Sequence, residues 1–329
     1  MTTVRGVEAR GGQHCETTAL GVLLRHEGID LSEPMLFGLG SGLSFVYWDS
    51  KGMGFPFLGG RVKPFELTRN LAATLGLELL VQETTSPRRA WRNVAGPLDA
   101  GRPVGLQLDS HHLDYFGSKA HFGAHVVALY GYDEHDAQLV DTAQQGGAVS
   151  TSLASLARAR AARGPMTAKH RSFTLGAPVN PPSPRSRVVP AVTACADAFL
   201  DPPIANLGHR GIEKAAKRVR TWFERADDPR RDLTQAARLM ERAGTGGALF
   251  RNLYRDFLGA CTQLLDSDDL RRGHGLYVEA ATLWTQTAGL IAKAGESGDA
   301  RCLVQASTVL GDLARIEREA MEALRRLRD

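Results

Sequence analysis

A proline-rich segment at residues 179–192 divides the 329-residue chain into two parts with different sequence patterns. Proline has a fixed φ and no amide hydrogen, so this segment suits neither a helix interior nor a central strand. The part before it mixes helix and strand patterns, whereas the part after it carries apolar residues at helical spacing. We therefore predict an α+β domain over residues 1–178, a linker over residues 179–196 and an all-α helical bundle domain over residues 197–329.

The composition and the charge exclude several classes of protein. Hydrophobic residues make up 43% and charged residues 23% of the chain, which is ordinary for a globular protein. No apolar run approaches the ~20 residues of a membrane helix, and the first residues lack the apolar core of a signal peptide. The net charge of +4 fits a solvated arginine-rich surface or an acidic partner. From the lack of a signal peptide and of a membrane helix we expect a cytoplasmic protein that does not bind membranes. Because no basic run is interleaved with aromatic residues, we expect no nucleic-acid partner.

A cysteine lies at the predicted start of a helix in the segment Gly-Gly-Gln-His-Cys-Glu-Thr-Thr-Ala-Leu, residues 11–20. Apolar residues recur at helical spacing from Ala19 to Leu24, and Gly28 follows where a C-terminal cap is expected. The unpaired amides and the dipole of a helix start favour the thiolate of Cys15, which is the nucleophilic form. The alternative is a small residue that packs near a helix start.

The other three cysteines lack such a setting. Cys261 and Cys302 lie on apolar helical stripes, where packing is their expected role. Cys195 has no polar partner nearby in the sequence.

Two side-chain amides could donate a hydrogen bond to an oxyanion formed beside Cys15. They belong to Gln13 and, on a predicted neighbouring strand, to Gln107.

A predicted β-hairpin supplies partners for the thiolate. Two β-rich runs flank the polar tetrapeptide at residues 133–136, which is typical of a hairpin. Antiparallel pairing then puts His125 opposite about residue 143, with Asp141 a diagonal neighbour at roughly 7–8 Å. A nucleophilic cysteine needs a base and a group that orients the base, so we predict these roles for His125 and Asp141. His14 is a poorer base because neighbouring residues on a helix point apart.

Several further histidines raise the alternative of a zinc site. His121 and His125 are separated by three residues, but that segment is predicted to be a loop that enters a strand, which argues against helical spacing of the two rings. We therefore predict no metal and no cofactor. The residues considered for a zinc site are Asp109, His111, His112, Asp114, His121 and His125.

A glycine-rich, aromatic stretch covers residues 37–48. It is not a dinucleotide-binding fingerprint, because the third glycine comes one residue early and no strand–turn–helix pattern surrounds it. We predict a loop in which the backbone approaches a ligand or another strand. The candidate substrate-loop residues are Gly38, Gly40, Gly42, Phe45 and Tyr47.

Several segments of the first half resemble the N-terminal domain of the butirosin biosynthesis protein H family. They are Gln-His-Cys-Glu-Thr-Thr-Ala-Leu (13–20), the run from His26 to Trp48, Gly-Arg-Pro-Val-Gly-Leu-Gln-Leu-Asp (101–109), His-Phe-Gly-Ala-His-Val-Val-Ala-Leu-Tyr-Gly-Tyr-Asp (121–133) and Leu-Val-Asp-Thr (139–142). The second half, with Ala-Gly-Thr-Gly-Gly-Ala-Leu-Phe-Arg-Asn-Leu-Tyr-Arg-Asp-Phe-Leu (243–258), looks like the helical domain often fused to it.

The resemblance implies a papain-like cysteine-enzyme domain that transfers an acyl group, with Cys15 as nucleophile, His125 as base and Asp141 as orienting residue. The family's namesake moves an aminoacyl chain from an acyl-carrier-protein thioester to an amine of an aminoglycoside antibiotic. The implied partners are an acyl carrier protein, whose phosphopantetheine arm carries the acyl group, and a small-molecule amine acceptor. Carrier proteins are typically acidic, so a basic helix face suits docking, although a solvated face is an equally good interpretation. That face carries Lys214, Lys217, Arg218 and Arg220.

Two alternatives to acyl transfer stay open. One is a cysteine thioesterase, cyclase or peptidase, in which water or an internal amine resolves the same acyl-enzyme. The other is a non-catalytic module that binds a carrier protein. The sequence also leaves open whether the chain forms a homo-oligomer.

Overall fold

The computed structural model describes residues 1–50, 52–117, 120–180 and 182–328. In chain order, the helices are α1 (Cys15–His26), α2 (Glu33–Leu39), α3 (Glu66–Leu75), α4 (Pro87–Asp99), α5 (Leu153–Ala161), α6 (Arg185–Leu200), α7 (Gly208–Arg218), α8 (Trp222–Arg225), α9 (Pro229–Arg242), α10 (Arg251–Thr262), α11 (Asp268–Ser297) and α12 (Ala300–Leu324). The strands are β1 (Thr2–Thr3), β2 (Leu43–Trp48), β3 (Phe57–Arg61), β4 (Glu78–Gln82), β5 (Val104–Leu108), β6 (His125–Tyr132), β7 (Asp136–Val140), β8 (Ala148–Ser152) and β9 (Ser172–Gly176).

The chain forms two compact units whose limits differ from the predicted domains. The N-terminal unit comprises Met1–Leu36 and Lys63–Pro182, and the C-terminal unit comprises Phe37–Val62 and Ser183–Asp329. Residues 37–62 therefore belong with the helices of the second half, although they precede most of the first unit in the sequence. The result is a sheet-containing N-terminal region and a helical C-terminal region, which confirms the mixed class of fold.

The predicted linker is largely helical. Helix α6 begins directly after Pro184, whose fixed φ is compatible with a helix start. Its buried side chains, among them Val188, Val192 and Phe199, recur at helical spacing and compensate for Pro190 in the helix interior. The proline content thus indicated non-helical chain before residue 185, as observed. It did not indicate that the linker residues from 185 onwards form a helix.

The N-terminal unit is built on an antiparallel sheet. Its strands lie in the order β4-β9-β5-β6-β7-β8, and β1 pairs with the end of β6. In the β5–β6 pair, Leu108 lies opposite His125, so the end of β5 adjoins the start of β6. In the β6–β7 hairpin, Ala128 pairs with Val140, which is the predicted register; a bulge shifts it by one residue nearer the turn.

Aliphatic side chains from both the strands and the helices form the core of this unit. Val104 and Leu106 of β5 and Val127 and Leu129 of β6 are buried with residues of α4 and α5, such as Leu98. Gly105 is needed in β5 because a Cβ there would come within 2.2 Å of the Phe173 ring on β9. The ring of Phe173 in turn packs edge-on against the ring of Phe65, which directly precedes α3.

The C-terminal unit packs its helices around a buried ion pair. Arg251 on α10 and Glu317 on α12 are joined at 2.8 Å, and both side chains are fully buried. The indole of Trp284 on α11 also donates to Glu317. Buried charges of this kind are tolerated only when paired and hydrogen bonded, and here Arg251 also donates to the carbonyl of Leu249.

None of the helices in the described parts of the chain is long and apolar enough to cross a membrane.

Candidate active site

Cys15 is the first residue of α1. The preceding residue, His14, is extended with φ −105° and ψ 129°, so the helix starts abruptly at the cysteine. The first helical turn leaves its amide hydrogens without intrahelical acceptors. Cys15 is buried; the helix ends at His26, and Gly28 follows it with a left-handed φ of +79°, close to the predicted end. Cys15 therefore lies at the end of the helix that favours negative charge.

The backbone before Cys15 is tied to the segment that follows β7. The amide of Ala143 donates to the carbonyl of Gly12 at 2.7 Å. Gly11 makes the close approach feasible, because a Cβ on it would lie 2.7 Å from the Ala143 nitrogen and 2.9 Å from Gly147 Cα. Gly11 and Gly12 thus allow two distant segments of the N-terminal unit to meet. One segment carries Cys15, and the other begins at Asp141.

A carboxylate also fixes the turn before α1. Glu33 accepts hydrogen bonds from the amides of Gln13 and His14, at 2.9 and 2.8 Å, and from the Thr17 hydroxyl at 2.8 Å. It supplies the cap that the His14 side chain does not provide. No local sequence signal marked this role, since Glu33 comes from the following helix.

His125 and Asp141 form a buried pair. His125 Nε2 lies 2.8 Å from Asp141 Oδ2, with both side chains almost completely enclosed. The second carboxylate oxygen accepts from the Thr142 amide at 2.6 Å, and Oδ2 also accepts from the Tyr115 hydroxyl at 2.8 Å. The carboxylate is therefore held on both oxygens, which fixes the ring plane of His125.

The side chain of Cys15 lies near enough to His125 to interact with its imidazole electrostatically. Because Nε2 is engaged by Asp141, Nδ1 is the nitrogen available to the sulfur. Burial opposes the charged imidazolium, but the hydrogen bond and charge of Asp141, with a smaller contribution from Cys15, raise the pKa of His125 to about 10. Burial and the Asp141 charge also raise the pKa of Tyr115, so its hydroxyl remains a donor.

The structure thus brings Cys15, His125 and Asp141 into one chain of contacts. Such an arrangement can hold a thiolate beside an imidazolium, attack an electrophilic carbon and pass a proton to the leaving group. Burial raises the pKa of both Cys195 and Cys261 to about 12, which disfavours their thiolates. Tyr115 is a site residue that sequence analysis missed, because it lies in a loop without a recognisable pattern.

The two predicted oxyanion donors have different settings. Gln13 is exposed next to the start of α1, so its side-chain amide stays a candidate. The side-chain amide of Gln107 is not available as an oxyanion donor, because its Nε2 donates to the carbonyls of Gly123 at 3.2 Å and Met166 at 2.8 Å. An amide group has two N–H hydrogens, and both are used. Its Oε1 accepts from Arg171, so Gln107 joins loops instead of facing a substrate.

The predicted substrate loop is not a loop. Gly38 lies in α2, Phe45 and Tyr47 lie in β2, and all three belong to the C-terminal unit. A Cβ on Gly38 would overlap the Phe257 ring, and Phe45 packs with its ring centroid 5.4 Å from that of Trp284. The glycines and aromatic residues therefore serve the packing of that unit. Gly40 and Gly42 are buried residues between the end of α2 and the start of β2.

One group of side chains has the geometry of a metal site. Asp109, His112 and His121 bring one ligand atom each to within 4.8 Å of the others. The sequence-based argument against zinc concerned His121 with His125, and the structure groups His121 with a different pair of residues.

Two family models match the chain. Residues 14–142 match the model described as "Butirosin biosynthesis protein H, N-terminal". Residues 154–324, more than half of the chain, match a second model, "Domain of unknown function (DUF4872)". A comparison of the chain with curated proteins found no match.

The protein has two compact units, and the N-terminal unit carries a candidate cysteine site formed by Cys15, His125 and Asp141. The chain belongs to the family defined by DUF4872, and its residues 14–142 are similar to the N-terminal domain of butirosin biosynthesis protein H. This confirms the resemblance seen in the sequence. The name of the N-terminal family model suggests a catalytic role in antibiotic biosynthesis.

Proposed function

We propose that the protein is a cysteine-dependent acyltransferase with a papain-like catalytic domain. It moves an acyl or aminoacyl group from an acyl-carrier-protein thioester to an amine. The observation that carries this proposal is the buried imidazole of His125, which bonds Asp141 through Nε2 at 2.8 Å and interacts electrostatically with Cys15. The papain-like assignment is supported by a cysteine that opens a helix and a histidine that opens an adjacent strand.

In the first half-reaction the Cys15 thiolate attacks the carbonyl carbon of the carrier thioester. A C–S bond to Cys15 forms, and the bond to the phosphopantetheine sulfur breaks. The departing thiolate takes the proton of the His125 imidazolium, whose raised pKa keeps that proton available at neutral pH. The thioester is exchanged for another thioester, so the step is nearly isoenergetic.

In the second half-reaction the acceptor amine attacks the acyl-Cys15. Neutral His125 takes a proton from the attacking nitrogen, the C–N bond forms, and the Cys15 thiolate leaves. This restores the starting thiolate–imidazolium pair. Conversion of a thioester to an amide is downhill, so the reaction balances without ATP.

The negative oxygen formed in both steps needs donors. The backbone amide of Cys15 is one candidate, since the first residue of a helix has no intrahelical acceptor for its N–H. The exposed side-chain amide of Gln13 is the other. Glu33 supports both by fixing the backbone of residues 13 and 14.

Intact-mass spectrometry tests the proposal. The full-length protein is incubated with a panel of acylated carrier proteins, and we expect the wild type to gain the acyl mass. Cys15→Ala should gain nothing, whereas the matched control Cys302→Ala, which removes another buried cysteine, should react like the wild type. Addition of a primary amine should then release the acyl group as an amide.

Two results would reject acyl transfer. Loss of the adduct in buffer at the same rate with and without amine would favour a thioesterase. Absence of an adduct from the whole panel, with Cys15 still alkylated by iodoacetamide, would favour the non-catalytic carrier-binding alternative.

A further inference from the structure

A second cluster of titratable side chains lies at the end of β5, beside the strand that begins with His125. Asp109 follows β5 directly and is buried, with 3% of its surface exposed. His112 ends the short 3-10 helix Ser110–His112, and His121 lies in the segment that enters β6. These three residues come from three consecutive segments of the N-terminal unit, and none of them has a role in the proposed acyl transfer.

The carboxylate of Asp109 is oriented for a ligand. Its Oδ1 accepts from the amides of His111 at 3.1 Å and Phe122 at 2.9 Å. Its Oδ2 points at Nδ1 of His121, at 2.7 Å. One oxygen is therefore fixed by the backbone, and the other is directed at an imidazole. This is the supporting arrangement that ligating carboxylates in metal sites require.

Three imidazoles lie close together beside Asp109. The ring centroids of His111 and His121 are 4.0 Å apart, and those of His112 and His121 are 5.6 Å apart. Ligand atoms of Asp109, His112 and His121 all lie within 4.8 Å of one another. Tetrahedral zinc with bonds of about 2.0–2.1 Å separates its ligand atoms by about 3.3 Å. The side chain of His121 is 65% accessible, so its ring has room to rotate towards that spacing.

We infer that Asp109, His112 and His121 bind a divalent first-row transition-metal ion of the Zn²⁺ type. Two imidazoles and one carboxylate form a donor set suited to such ions, and the remaining positions are open to water. The ion cross-links the end of β5, the 3-10 helix and the entry to β6, four residues before His125. The site is independent of the acyltransfer proposal.

Metal binding is measured in a Cys15→Ala background, because a thiolate beside His125 would itself take Zn²⁺. The chelator-treated protein is titrated with Zn²⁺ by calorimetry and with Co²⁺ by visible absorption, which reports coordination geometry. We expect one ion per chain and a Tm that rises with metal concentration, since the ion binds only the folded state.

Matched histidine variants locate the ion. His121→Ala removes an exposed ligand and is expected to weaken binding by at least about 100-fold, as even outer-shell changes cost 10- to 100-fold. Asp109→Asn keeps an oxygen for the His111 and Phe122 amides and is expected to weaken binding likewise. His135→Ala, which removes an exposed histidine from the β6–β7 turn, should bind like the parent. Equal affinity in the His121 and His135 variants, or no saturable binding in the parent, would overturn the inference.

Discussion

At the residue scale, the charge state of His125 is the most testable property of the site. Its pKa is raised from an ordinary value of 6.5 to about 10, because Asp141 and Cys15 outweigh the cost of burial. A raised folded-state pKa means that protonation stabilises the folded protein. That contribution is complete below about pH 6.5 and is lost as the pH rises through about 10.

Asp141→Asn should lower the pKa of His125. Asparagine keeps an acceptor for the Thr142 amide but loses the negative charge that favours the imidazolium. NMR titration of the His125 ring should show a protonated ring at neutral pH in the wild type and a midpoint at lower pH in the variant. The control is Asp99→Asn, which removes an aspartate that also accepts from a tyrosine hydroxyl, that of Tyr132. An unchanged His125 midpoint in Asp141→Asn would contradict the proposed electrostatics.

The residues of this site differ in how far sequence alone could identify them. Cys15, His125 and Asp141 each stand in a local pattern, a helix start or a hairpin, and their contacts follow from those patterns. Tyr115 and Glu33 reach the site from other segments, so local patterns could not reveal them. The prediction for Gln107 failed because the carbonyls that bind its amide belong to loops, whose paths no periodicity describes.

At the element scale, the start of α1 depends on a carboxylate from the next helix. Glu33→Ala leaves the amides of residues 13 and 14 without their acceptor and removes one of the two acceptors of the Thr17 hydroxyl, which keeps the His14 carbonyl. We expect the free energy of unfolding to fall by about 1–3 kcal/mol, as for other lost acceptors of partly buried donors. Urea denaturation measures the change. Glu8→Ala, which removes an exposed ion pair with Arg10, should cost less than about 1 kcal/mol, and an equal loss in both variants would contradict the capping role.

The close approach of β5 and β9 gives a second prediction at this scale. Gly105→Ala would put a methyl group about 2.2 Å from the ring of Phe173, which is fully buried and unable to swing away. We expect a destabilisation of about 1–3 kcal/mol, the usual range for overpacking. Gly289→Ala, at an exposed position of α11 with open space around it, should instead stabilise by up to about 1 kcal/mol. Similar urea midpoints for both variants would mean that β9 tolerates the added carbon.

The pairing of β9 also illustrates why part of the fold escaped prediction. Local sequence patterns located α1, the β6–β7 hairpin and the helical character of the second half, because each pattern lies within a short window. Strand β9 inserts between β4 and β5, whose residues lie 66 to 98 positions before their partners in β9, and only tertiary contacts determine that position. Helix α9 carries a weak local signal, because only Leu233, Ala237 and Met240 mark its buried face and charged residues dominate its other faces.

At the scale of the whole molecule, the net charge of +4 and the pI of about 9.0 favour an acidic partner. Within the basic helix face of the C-terminal unit, two cations have internal partners: Lys214 donates to Asn206 and Arg220 to Ser307. Lys217 and Arg218 are exposed at the end of α7. They are the side chains of that face best placed to meet a carrier protein.

Reversing these two charges should impair use of the carrier but not the chemistry. We expect Lys217→Glu with Arg218→Glu to raise KM for an acylated carrier on the order of 10-fold at low salt, because steered encounter is lost. The difference should shrink as salt screens the charges, with a screening length of about 10 Å at 0.1 M. The rate with a small pantetheine thioester should stay unchanged. The control pair Arg315→Glu with Arg318→Glu makes the same change in net charge on the exposed face of α12. If that pair raised KM for the carrier equally, the total charge of the protein and not the α7 face would be responsible for carrier binding.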